Sequence, residues 1–120
     1  MKRPAAVRNA IIRSWSDDAA ERQAALASLN DMASTDMVDI RTAQPSVVAR
    51  LRDPSPEVRE LALRICEYRA DMGADIGMAV PMLLSMQNEP DPELRELVRR
   101  ALFYANKRLG GLLGAHLQSP

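Results

Sequence analysis

Apolar residues recur along the chain every three or four positions, in short runs interrupted by proline, aspartate and glycine. Met37, Ile40, Gln44, Val47, Val48 and Leu51 outline one face of a helix, and Ile76, Val80, Leu83, Leu84 and Gln87 nearly repeat the step. A second stripe, Val58, Leu61, Ala62, Ile65 and Arg69, is matched by Leu94, Leu97, Val98, Ala101 and Ala105. The pattern predicts helices that turn these stripes to a core. The second helix of each pair has a marked beginning. Ser55 and Asp91 suit the N-cap, Pro56 and Pro92 suit the first helical position, and Glu57, Glu60, Glu93 and Glu96 put negative charge near the positive helix end. Pro45 and Pro81 fall inside the first helices, where proline removes a backbone donor, so a bend or a late start is expected there.

The stripes belong to a longer repetition. Laid over residues 88–104 at an offset of 36, residues 52–68 share eight identities in 17 positions without a gap, among them Pro54 with Pro90, Arg59 with Arg95 and Tyr68 with Tyr104. The offset extends upstream, where residues 45–48 lie over 81–84, and faintly to residues 9–12. It sets Trp15 level with Leu51 and Asp17 level with Asp53. A period between about 20 and 50 residues marks a solenoid, whose units bury their apolar faces against neighbours. The expectation is one all-α domain of about three helix pairs: residues 1–35 as an atypical cap, 36–71, 72–108, and a glycine-rich tail or partial helix over 109–120. Gly110, Gly111 and Gly114 weaken that last helix, while Leu109, Leu112, Leu113 and Leu117 are suited to cover the end of the stack.

Composition agrees with helices. Hydrophobic residues make up 47% of the chain and aromatic residues only 3%, and Ala, Leu, Met and Val supply most of the apolar volume, which favours close helix packing over sheet. Cys66 is the only cysteine, so no intramolecular disulfide forms, and it is expected to be a buried small hydrophobe. The opening run Met1 to Arg3, basic through Lys2 and Arg3, resembles the start of a signal peptide, but Arg8, Asn9 and Arg13 interrupt the apolar run that must follow. No segment approaches the roughly 18 to 20 apolar residues of a membrane span, so the expected location is the cytoplasm, with no membrane contact.

Pro45, Val47, Val48, Leu51, Asp53, Pro54, Val58, Arg59 and Ala62 together resemble the consensus of HEAT-type helical repeats. Pro81, Leu83, Leu84, Leu94, Arg95 and Val98 match it again, with Glu89 in place of the turn aspartate and Gln87 in place of a leucine. In the first unit Arg22 stands where a valine is expected and Gln23 where the arginine is expected. The resemblance implies a short right-handed α-α solenoid. It also implies a ladder in which Arg59 and Arg95 bond turn acids such as Asp17 and Asp53, a structural role suited to the planar arginine fork.

Reactive constellations are lacking. His116, the single histidine, lies in the glycine-rich tail, which is expected to be mobile, and makes a poor pair with Cys66. Metal sites need several Cys, His or clustered Glu ligands, so neither a metal nor another cofactor is expected. The glycines lack the lysine and strand context of a phosphate loop. Glu57, Glu60, Glu67 and Asp71, with Arg64 among them, read as a solvated helix face or as a dock for a basic helix.

Charge is balanced at 16 basic and 16 acidic residues, yet segregated: residues 1–16 hold Lys2, Arg3, Arg8 and Arg13 without an acid, and residues 97–120 hold Arg99, Arg100, Lys107 and Arg108 without one. The acidic middle and the scarcity of aromatic residues disfavour nucleic acid. The sequence reading is a non-enzymatic adaptor or accessory subunit that binds another protein, with a homodimer as a further possibility. The alternatives are a nucleic-acid-binding module using the basic C-terminal helix, and an enzyme or lyase of the HEAT-like class acting on a bound pigment or nucleic acid. The expected contact surface is the outward side of the second helices: Glu60, Leu63, Arg64, Glu67, Glu96, Arg99, Arg100, Phe103 and Lys107, with Leu63 and Phe103 as apolar anchors in a polar rim.

Overall fold

The computed structural model describes residues 2–118, with side chains from Ala5 onward; the Lys2 and Arg3 side chains of the basic N-terminal run lie outside the described residues. The described chain is all-helical: α1 (Lys2–Arg13), α2 (Ala19–Ser34), α3 (Gln44–Arg50), α4 (Pro56–Asp71), α5 (Val80–Ser85) and α6 (Pro92–Arg108). It divides into two compact units, Met1–Ile65 and Cys66–Pro120, and the division falls within α4.

Proline acts in α3 and α5 as anticipated. A 3-10 turn, Arg41–Ala43 or Gly77–Ala79, precedes each helix, and Pro45 and Pro81 sit at its second position, where the missing N–H has no partner to lose. The approaches to α3 and α5 share their backbone, with Ile40 at φ −111° and ψ 23° and Ile76 at φ −108° and ψ 25°. The turns before them also correspond. Met37 and Gly73, 36 residues apart, both take the left-handed conformation, at φ 56° and 82°. The 36-residue period is thus written in the main chain from residue 37 on.

The N-terminal unit is held by α1 packing on α2 and on the 3-10 turn Arg41–Ala43. Val7, Ala10, Ala25, Leu26, Leu29 and Leu51 are among its buried residues. In the C-terminal unit α5 packs on α6, and Leu83, Leu94, Leu97, Val98, Ala101 and Leu102 are buried. At about 1.5–3 kcal/mol for each fully buried large aliphatic side chain, these clusters carry most of the stabilisation of each unit.

Trp15 is not level with Leu51. It is 55% exposed, while Ser14 is fully buried and gives its hydroxyl proton to the Ile11 carbonyl. The first unit therefore runs one residue out of register with a uniform offset of 36. The extra residue lies in the C-terminal turn of α2, where the Val38 N–H reaches back six residues to the Met32 carbonyl at 2.8 Å. The equivalent turn of α4 closes in five, from the Ala74 N–H to the Arg69 carbonyl at 2.9 Å.

The tail adopts turns rather than a full helix. Gly110 and Gly111 take positive φ after α6, and Gly111 closes the helix by donating to the Asn106 carbonyl. Beyond them Gln87 holds the tail from both sides: its amide nitrogen donates to the His116 carbonyl at 2.9 Å, and its amide oxygen accepts from the Gln118 N–H at 2.8 Å. The glycine-rich segment expected to be mobile is thereby tied to the rest of its unit. Leu112 stays 78% exposed and covers little, whereas Leu109, Leu113 and Leu117 are half-buried.

Candidate functional site

Three second helices start with the same device. Asp18 caps α2 by accepting from the Ala20 N–H, and Asp91 caps α6 by accepting from the Glu93 N–H. Ser55 holds the same place before α4, its carbonyl accepting from the Arg59 N–H. Four residues after each cap stands an arginine: Arg22, Arg59 and Arg95. Each folds back so that Nη1 donates to two carbonyls of its own preceding turn. The acceptors are Ser16 and Asp17 (both 3.0 Å), Asp53 and Pro54 (2.9 and 3.3 Å), and Glu89 and Pro90 (2.9 and 3.4 Å). These carbonyls precede a helix and have no helical donor, so the guanidinium supplies one.

The arginines thus lie in the turns, as the sequence implied, but the expected partners need correction. Arg59 and Arg95 bond turn carbonyls, not the side chains of Asp17 or Asp53. The Asp17 side chain is exposed, and only its carbonyl is engaged. The carboxylate of Asp53 is taken instead by Arg22, in a two-pronged contact of Nε to Oδ2 at 2.7 Å and Nη2 to Oδ1 at 3.1 Å. The one-residue shift in α2 is the reason: Arg22, not Gln23, corresponds to Arg59, and Ser16 rather than Asp17 corresponds to Asp53.

Around Asp53 the N-terminal unit builds a partly buried polar cluster. Arg50 adds a second cation at 3.0 Å and lies 4.9 Å over the Trp15 ring, whose indole N–H donates to Ser46 Oγ. The Ser55 N–H donates to Asp53 Oδ1 at 2.9 Å. Burial raises the Asp53 pKa, but the Arg22 bond, the Ser55 N–H and the two cations outweigh it and hold the carboxyl below its ordinary value. Arg22 is correspondingly raised, chiefly by its bond to Asp53. Arg50 Nε is the buried side-chain atom without a partner among the described residues.

The C-terminal unit carries the open surface. Glu96, Arg99, Arg100, Phe103 and Lys107 fall at helical spacing along α6. Glu96 receives Arg99 at 2.9 and 2.6 Å and Arg100 at 3.1 Å, contacts that draw its pKa down to about 2. Phe103 is 51% exposed, edge-on to Tyr104 and with Lys107 5.6 Å from its ring centre. Beside this row runs a groove of about 660 Å³, lined by Gln87, Pro92, Arg95, Glu96, Val98, Arg99, Leu102, Phe103, Leu117 and Gln118. Its size falls in the range that holds a small ligand or a few side chains of a partner. The sequence pointed to Glu96, Arg99 and Phe103 but missed Gln87, Leu117 and the groove they help to close.

The rest of the expected surface separates. Glu60 and Arg64 pair with each other at 2.9 Å on the N-terminal part of α4, and Glu67 is half-buried further along that helix. Leu63 is fully buried, so it serves the core and not as an exposed anchor. Cys66 is buried as anticipated, and burial pushes its thiol up to about 12. Among the described residues no group of three or more His, Cys, Asp or Glu side chains is placed to hold a metal ion, and no helix is long and apolar enough to cross a membrane. No family model matches the chain, and neither a curated protein nor a solved structure is significantly similar to it.

Proposed function

We propose that this chain is a non-enzymatic interaction module, a short right-handed solenoid of HEAT-like helix pairs that serves another protein as adaptor or accessory subunit in the cytoplasm. The observation that carries the reading is the recurrence of one arginine-clamped turn at Arg22, Arg59 and Arg95. Three equivalent helix starts are what tandem units require, and stacked units generate extended binding surfaces. The row on α6 supports the same role, since an exposed aromatic ring within a charged rim is the usual make-up of a binding hot spot.

The basic run on α6 favours protein over nucleic acid. Arg99 and Arg100 are both engaged by Glu96, Lys107 lies over Phe103, and Arg108 Nε donates to the Gly73 carbonyl at 3.3 Å. Freeing these cations for phosphates costs interactions they already make. Native mass spectrometry of the gently purified chain tests the role. A stoichiometric protein companion is expected, and recovery with nucleic acid, a pigment or no companion would overturn the reading.

A further inference from the structure

The arginine of the first clamp uses both edges of its guanidinium, and the arginine of the last uses one. In Arg22, Nη1 holds the turn while Nε and Nη2 grip a carboxylate that lies 31 residues further along the chain, that of Asp53. In Arg95, Nη1 holds the turn in the same way, but Nε and Nη2 meet no acceptor among the described residues. The groove lies at that arginine, with Val98, Leu102, Phe103 and Leu117 supplying apolar wall.

We infer that the groove beside Arg95 binds an acidic segment of a partner protein, a carboxylate next to an apolar side chain, as Asp53 is held by Arg22. The inference rests on the interaction-module reading and names its partner class. Three observations select this occupant. The free edge of Arg95 is geometrically matched to a carboxylate, because the fork donates two parallel bonds to it. The chain itself carries the precedent at 2.7 and 3.1 Å. The charged lining of the groove is Arg95 and Arg99 against Glu96, and Glu96 is already paired with Arg99 and Arg100, so the cation left open to an incoming group is Arg95.

The test uses the intact chain and a random peptide library displayed on phage. The expected enriched peptides share an Asp or Glu beside an aliphatic or aromatic residue. Their affinity, measured by fluorescence anisotropy on the best synthetic peptide, should fall about tenfold or more with Arg95→Lys, which keeps the charge but lacks the fork, and with Phe103→Asp, which puts a like charge in the wall. Arg41→Gln, an equal change of charge in the other unit, should leave binding unchanged, and thermal melting of each variant confirms folding. Enriched peptides without an acid, binding indifferent to both groove variants, or failure to enrich any peptide overturns the site. A stoichiometric companion that survives both variants overturns the groove and leaves the adaptor role standing. Enriched acidic peptides without a native companion do the reverse.

Discussion

Arg22 and Arg95 begin their helices alike and part company at the far edge of the guanidinium. Arg22, nearly buried, closes on a fully buried carboxylate and becomes cohesion. Arg95 is exposed beside a groove, with its far edge unclaimed. The same local sequence device, a cap followed four residues later by arginine, is therefore fastened at one end of the series and available at the other. Arg59 likewise bonds only its own turn through Nη1, and what sets Arg22 apart from both is an aspartate within reach.

The sharpest way to break this comparison is to remove the aspartate. Asp53→Ala strands two cations in a partly buried cluster and should cost about 3 to 5 kcal/mol in urea unfolding, because losing one member of a buried pair leaves its partner uncompensated. A loss below about 1 kcal/mol would deny that the pair is cohesive.

Acid should weaken the same contact without mutation. The Asp53 pKa is lower folded than unfolded, so its contribution is complete above the ordinary aspartate value of 3.8 and is lost as pH falls through the depressed folded value. Stability measured from pH 5 downward should decline, and less steeply in Asp53→Ala. The Glu96 carboxyl, followed by NMR, should titrate near 2.

Arg95→Ala probes the open clamp alone. It removes two turn bonds at an exposed position and should lower stability by about 1 kcal/mol, read as a drop in melting temperature without any ligand. An unchanged melting temperature would mean that the turn holds without its arginine.

The smallest effect concerns the turns between pairs. Met37 occupies the left-handed conformation that Gly73 adopts at the equivalent place. Met37→Gly should gain about 0.5 kcal/mol, the relief of side-chain crowding less the added freedom of the unfolded chain. A loss instead would show that the Met37 side chain contributes more than its strained backbone costs.

Much of the architecture was legible because it is local. Proline placement foretold the late starts of α3 and α5, and Asp91 was readable as a cap from its neighbours Pro92 and Glu93. What escaped depends on distance or on a wider arc of burial. A uniform 36-residue offset sets Arg22 at a valine position because one added residue near the end of α2 displaces the alignment; the spacing from Asp18 to Arg22, equal to that from Asp91 to Arg95, is the signal that identifies it. Leu63 falls outside the single stripe that periodicity marks as the buried face, whereas α4 buries a wider arc that includes Leu63 and Cys66. Gln87 interrupts an apolar stripe, and its use as a clamp on residues 116 and 118 follows from the folded tail, not from its neighbours in sequence.

The placement of Cys66 gives the chain an internal clock. A lone thiol this deeply covered, and this reluctant to ionise, reacts with a maleimide only during excursions that uncover the middle of α4. Its modification rate under native conditions therefore reports those excursions, and a bound partner that restrains them would be heard as a slower tick, with no engineered cysteine.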